Sequence, residues 1–145
     1  MAALDPLRTL AAGLNAGPMS QNVEATTLVP HGLIFLCDPT AIIDVPADTS
    51  AAPVLSTANC ASLWTVHEVD GPTTLVLCET YDGDDCKLIF QGSLTATGRK
   101  LGFSTSSGER IIEVDLDDEV AEVTVYSNDP SEPTKIVCVA APLRP

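Results

Sequence analysis

The chain has 145 residues, is 45% hydrophobic but only 4% aromatic, and carries 20 acidic against 7 basic side chains, a formal charge of −13. That field repels nucleic acid and anionic lipid, and with so few aromatic rings there is no stripe on which bases could stack, so nucleic-acid binding is excluded as a function class. The length suits one domain with a core of Val, Ile, Leu and Ala, and the longest apolar runs, such as Leu33 to Cys37 and Ile136 to Ala141, fall far short of the roughly 18 residues that a membrane-spanning helix needs.

In chain order, Asp5-Pro6 followed by Leu7, Leu10 and Leu14 predicts a short helix, capped by Asp5, with Pro6 at its first position and Gly17-Pro18 at its end. Residues 1–22 therefore read as an N-terminal arm and 23–145 as the main domain. From Val23 onward the helical period disappears and short apolar or alternating runs recur between Gly, Pro, Asn and Asp. Strands are expected at 23–29, 32–37, 41–45, 63–69, 73–80, 86–92, 99–105, 110–116, 120–127 and 134–141. Asp38-Pro39 ends the second of these, because proline cannot continue a central ladder.

The Asp-Gly pairs at Asp70-Gly71 and Asp82-Gly83 predict turns, and with them a meander of 63–69, 73–80 and 86–92. Leu75-Val76-Leu77-Cys78 is apolar on both pleat faces, which predicts a strand covered on both sides. Ile112, Val114 and Leu116 alternate with Glu113 and Asp115, and Val123 and Val125 alternate with Glu122, Thr124 and Tyr126. Joined through Asp117-Asp118-Glu119, these two runs predict a hairpin with one buried and one strongly negative face. Residues 46–62, with Pro46 and Pro53, read as one long connection. The fold class that follows is all-β: a single antiparallel sandwich, or an open barrel, of about eight to ten short strands with a short N-terminal helix.

Fifteen of the carboxylates lie between Glu68 and Glu132, against four basic residues there. Glu113, Asp115, Asp117, Asp118, Glu119 and Glu122, with the Asp82, Asp84 and Asp85 turn, are the candidate partner-binding residues, and the partner they suit is a basic protein. Asp82, Asp84 and Asp85 could alternatively gather Ca²⁺, although the turn lacks the ligand order of a calcium loop. His31 and His67 have no metal-ligand spacing, and Cys37 or Cys60 with His67 is a nucleophile–base pairing that nothing local supports, so neither metal, cofactor nor catalysis is expected. The five cysteines form no C-x-x-C pair, and the N-terminus lacks the apolar segment of a secretory leader. They are expected as free thiols in the cytoplasm, mostly acting as small hydrophobes, with a Cys78–Cys86 bridge as the disulfide alternative in an oxidising compartment. Trp64, the single tryptophan, reads as a core residue or as an interface anchor.

Leu36-Cys37-Asp38-Pro39 closing an early strand, a central meander, the late pair Ile111–Leu116 and Val120–Tyr126, and a closing strand Lys135–Ala141 before a proline-containing end together resemble small bacterial β-sandwich proteins of the competence-J nuclease-inhibitor and toxin-immunity kind, over about residues 28–143. The resemblance implies a cytosolic inhibitor that occupies a basic active-site cleft, and it carries over no binding residue. Besides this non-enzymatic binding module, two other readings stand: a structural subunit forming a homo-oligomer through strand edges or the N-terminal arm, and a Ca²⁺-dependent binding module.

Overall fold

A computed structural model of the protein describes residues 22–46 and 54–141. The strands are β1 (Val23–Thr27), β2 (Leu33–Cys37), β3 (Val54–Ser56), β4 (Cys60–Trp64), β5 (Thr73–Cys78), β6 (Lys87–Thr95), β7 (Lys100–Thr105), β8 (Arg110–Asp115), β9 (Val120–Ser127) and β10 (Lys135–Ala141). They make two five-stranded sheets, ordered β1-β5-β10-β9-β6 and β3-β4-β2-β7-β8. All pairings are antiparallel except β5 with β10, where Lys135 to Val139 run parallel to Thr74 to Cys78. The predicted N-terminal helix lies outside the described residues.

Alternation decides which side chains meet between the sheets. Ala121, Val123 and Val125 of β9 turn inward while Glu122 is exposed, and in the other sheet Ile34, Leu36, Leu63, Leu101 and Phe103 do the same. Full burial of each such side chain stabilises the fold by about 1.5–3 kcal/mol, and that gain is available only if the two sheets stay face to face. Leu75 and Leu77 join this core, whereas Val76 and Cys78 pack on the outer face with Cys86, Val137, Tyr81 and Tyr126. The expected two-sided cover of this strand is therefore present.

Strand existence was predicted better than strand pairing. The run 110–116 and the run 120–127 do not form a hairpin: β8 pairs with β7, β9 pairs with β10 and β6, and Leu116 to Glu119 cross from one sheet to the other. The meander also fails, since β4 is in the second sheet and β5 is separated from β6 by β10 and β9. Residues 41–45 are not a strand, and the expected long connection 46–62 contains β3 and the start of β4. Hydrogen bonding to a distant strand decides these cases, and local alternation carries no record of it.

Among the described residues the chain changes sheet four times, and these crossings associate in two pairs. At one end the β6–β7 and β8–β9 links are joined by Ala96 N–H donating to Glu119 O (2.6 Å) and Leu116 N–H donating to Arg99 O (2.9 Å). At the other end Thr65 N–H donates to Gly32 O at 2.8 Å, tying the β1–β2 link to the β4–β5 link. Gly32 has φ 63°, and a Cβ there would lie 2.9 Å from the Thr65 carbonyl oxygen. Both the conformation and the close approach require glycine. Gly32→Ala is accordingly expected to lower unfolding free energy by about 2 kcal/mol, read from the midpoint of a urea titration at unchanged slope.

Candidate functional site

The nine acidic positions do not share one face. Glu113 and Asp115 point outward from the β2-containing sheet, beside Lys100, whose ammonium is 2.6 Å from Asp115 and 3.7 Å from Glu113. Arg110 reaches Glu113 at 3.7 Å, and Arg99 reaches Glu119 at 3.9 Å and the Asp117 carbonyl oxygen at 3.4 Å. The Asp115 carboxylate raises the affinity of the Lys100 amine for its proton, chiefly by accepting its hydrogen bond. Glu122 stands on the outer face of the other sheet and accepts a hydrogen bond from Ser93 at 2.6 Å. Asp82, Asp84 and Asp85 follow β5, near the start of β6, at the end of the sandwich away from the 116–119 crossing.

Around that turn the structure is built from a few polar contacts. The Tyr81 hydroxyl donates to Asp85, Lys135 Nζ donates to the other Asp85 oxygen at 2.8 Å, and the Tyr81 ring packs on Tyr126 with centroids 5.0 Å apart. The Lys135 contact holds the Asp85 carboxyl below the usual carboxylate range, with the Tyr81 hydroxyl adding to it, and Tyr81 in turn is pushed up. Asp82 and Asp84 are exposed and form no ion pair among the described residues. Next to them Asp84, Asp85, Lys87, Leu88, Ile89, Asp129 and Pro130 line a depression of about 350 Å³. Asp129 is held in place by the backbone N–H groups of Ser131 (2.8 Å) and Glu132 (2.9 Å), which lower its pKa.

Asp85 is thus committed to Lys135 and Tyr81 rather than to a shared ion. Among the described residues no three His, Cys, Asp or Glu side chains converge as a metal site. His67 lies past the end of β4 opposite Cys60, so the Cys–His pairing that nothing local in the sequence supported is not brought together, and the His67 Nδ1 accepts from Val69 N–H at 3.2 Å. Trp64 is half-buried opposite Leu33 on the outer face of its sheet, not in the core.

Two features take roles in the structure that the sequence did not assign to their residues. Asp38 is 1% exposed, and its carboxylate accepts from Thr40 N–H (2.8 Å), Thr40 Oγ1 (2.6 Å) and Gly98 N–H (2.5 Å). The second is a thiol pair, Cys37 and Cys60, directly opposite one another on β2 and β4. They belong to a small outer cluster with Phe35, Leu33 and Ile43. All five cysteines are buried and free, so Cys78 and Cys86 are not bridged. The Cys60 S–H that it accepts holds the Cys37 thiol below the ordinary thiol range, opposed by burial and by the Asp38 charge and aided by Ser104; Cys60 is displaced upward. Cys37 also lines a pocket of about 300 Å³ with Asp38, Pro39, Ile43, Ser104 and Ser107. Only the strand register could reveal this pair, because 22 residues separate the two cysteines in the sequence.

These elements define a class of protein: an all-β sandwich of two mostly antiparallel sheets, not a closed barrel, with charged loops at both ends. No family model and no curated protein sequence matches the chain. Among solved structures it is similar to ComJ from Bacillus subtilis, an inhibitor of the DNA degrading activity of NucA, with a TM-score of 0.60 over 86% of this chain and 98% of ComJ, at 10% identity. The resemblance to competence-J-like proteins read from the sequence is thus present at the level of the fold, without the central meander that was part of the expected layout.

Two expectations follow. A depressed carboxyl stabilises the fold above the ordinary carboxylate range, and the contribution disappears as pH falls through the folded-state value. Asp85→Asn should therefore lower the melting temperature by a few degrees at neutral pH, with the difference from wild type vanishing in strong acid in calorimetric scans. Asp38→Ala, which strands three donors around a buried site, should cost about 3 kcal/mol in a denaturant titration.

Proposed function

We propose that the protein is a non-enzymatic inhibitor that binds a basic protein partner, such as a nuclease, through its exposed carboxylates. The observation that carries this reading is the depression beside the 82–85 turn. Leu88, Ile89 and Pro130 line it together with Asp84, Asp85, Asp129 and Lys87, Asp85 is held by Lys135, and Asp82 and Asp84 form no ion pair among the described residues. Apolar area with carboxylates at its margin suits an Arg or Lys side chain, whose methylenes bury while the head group is paired. Likeness of fold to a nuclease inhibitor supports the choice of partner class. The 113–119 carboxylates are a weaker docking face, because Lys100, Arg99 and Arg110 already neutralise part of them. They contribute to the long-range field that steers encounter.

Self-assembly through strand edges is less favoured. The long free edge, β6, begins with Lys87 and has a register irregularity between Leu88 and Phe90, both of which hinder strand addition.

The test is DNA degradation by the basic protein fraction of the source cell, retained on a cation exchanger, with and without the protein at low and high salt. The wild type is expected to slow degradation at low salt and to lose potency as salt screens the charges. Asp82→Asn with Asp84→Asn should weaken inhibition roughly tenfold, while Glu113→Gln with Asp115→Asn should leave it nearly unchanged. Degradation unaffected by the wild type at any salt concentration would sink the reading.

A further inference from the structure

The Cys37–Cys60 pair lies outside the depression beside the 82–85 turn, and the two cysteines face each other across the β2–β4 ladder. In the β2–β4 ladder, Thr65 N–H donates to Gly32 O, which makes 32 and 65 a hydrogen-bonded pair. Counting by two along the register puts 34 with 63 and 36 with 61 in the same state, and leaves 37 with 60 as a non-hydrogen-bonded pair. Cys60 agrees independently, since its carbonyl accepts from Thr57 N–H on the β3 side, away from β2. Residues facing each other at such positions have Cα atoms about 4.5 Å apart. That separation falls inside the roughly 4.4–6.8 Å range of disulfides, with both side chains on one face of the sheet.

Both cysteines are buried, Cys37 at 2% and Cys60 at 0% exposure, but Cys37 contributes to the wall of the roughly 300 Å³ pocket, with Ser104, Thr105, Ser106 and Ser107, and Cys60 does not line it. A molecule a few times the roughly 30 Å³ of a water fits such a space. Of the other three thiols, Cys138 is fully enclosed in the core, while Cys78 lines a separate pocket of about 400 Å³ and shares an outer cluster with Cys86; Cys78 faces Val139 in its ladder rather than a second cysteine, and burial pushes Cys78 and Cys138 up.

We propose that Cys37 and Cys60 are a peroxide-reactive dithiol, in which Cys37 is oxidised from the pocket and Cys60 closes the disulfide across β2 and β4. The oxidant is a small hydroperoxide, ROOH. The Cys37 thiolate attacks one peroxide oxygen, the O–O bond breaks, and ROH departs with a proton, leaving Cys37 as a sulfenic acid oxidised by two electrons. The Cys60 sulfur then attacks Cys37 Sγ as its own proton is lost, and the S–O bond breaks to release water. Two thiols and ROOH become one disulfide, ROH and water. Access sets which sulfur reacts first, and Cys37 is the one of the two that lines the pocket.

The experiment treats the full chain with hydrogen peroxide under native conditions, alkylates the remaining thiols after unfolding, and maps peptides by mass spectrometry. Two of the five thiols should be lost together, with a Cys37–Cys60 linked peptide that dithiothreitol reverses. In Cys60→Ser, dimedone should instead trap a sulfenic acid at Cys37; in Cys37→Ser, Cys60 should stay fully alkylatable. The wild-type map alone decides the matter if either variant fails to fold. All five thiols surviving peroxide that consumes N-acetylcysteine, or a linkage at Cys78–Cys86 in place of Cys37–Cys60, overturns the proposal. None of these readouts depends on the nuclease partner.

Discussion

The Asp38 carboxylate sits where three separate stretches of chain meet: the end of β2, the 38–46 segment through Thr40, and the β6–β7 link through Gly98. An unpaired charge at 1% exposure would be strongly unfavourable, so the site is stable only while its donors stay in place. This requirement fixes the 96–99 link, which in turn holds the 116–119 crossing through Arg99 and Ala96. With both crossings at that end fixed, the sheets cannot slide and the inward-facing rows of apolar side chains remain opposed. Gly32 performs the matching task at the other end, by allowing the approach of Thr65.

The outer faces of both sheets are partly apolar, which an ordinary two-layer sandwich with solvated outsides would not require. Connecting segments cover them. The Tyr81 to Cys86 stretch lies over Val76, Cys78 and Val137, and the segment carrying Ile43 lies over Phe35, Cys37 and Cys60. These covers also create the depressions in which chemistry can occur, since a loop laid on a sheet leaves gaps at its margins. The depression beside Asp84 and the thiol pocket beside Asp38 both arise in this way, on different sheets.

Charge is distributed by the same logic. Carboxylates occupy the outward positions of β8, β9 and the crossing loops, and the few basic residues are placed among them, with Lys100 and Lys135 each tied to a carboxylate. Exposed pairs of this kind add little stability, but they orient side chains, and among the described residues Asp82 and Asp84 form no ion pair. A basic partner would supply their counter-charge.

The sequence by itself determined the all-β class, most strand positions, the two-sided cover of Leu75 to Cys78, the inward set Val114, Leu116, Val123 and Val125, and the sign of the field. Each is a property of a residue and its near neighbours: alternation, turn-forming Asp-Gly, or net charge. Only the tertiary structure decided that β8 and β9 belong to different sheets, that β5 and β10 run parallel, that 54–56 is a strand, and that Glu113 lies on one sheet while the segment from Tyr81 to Cys86 packs on the other. It alone placed Cys37 opposite Cys60 and turned Asp38 from a strand terminator into a buried anchor. The physical reason is that an exposed ladder edge can accept any strand of suitable pattern. Which strand it accepts is settled by burial and hydrogen bonding summed over the whole molecule, between residues far apart in the chain.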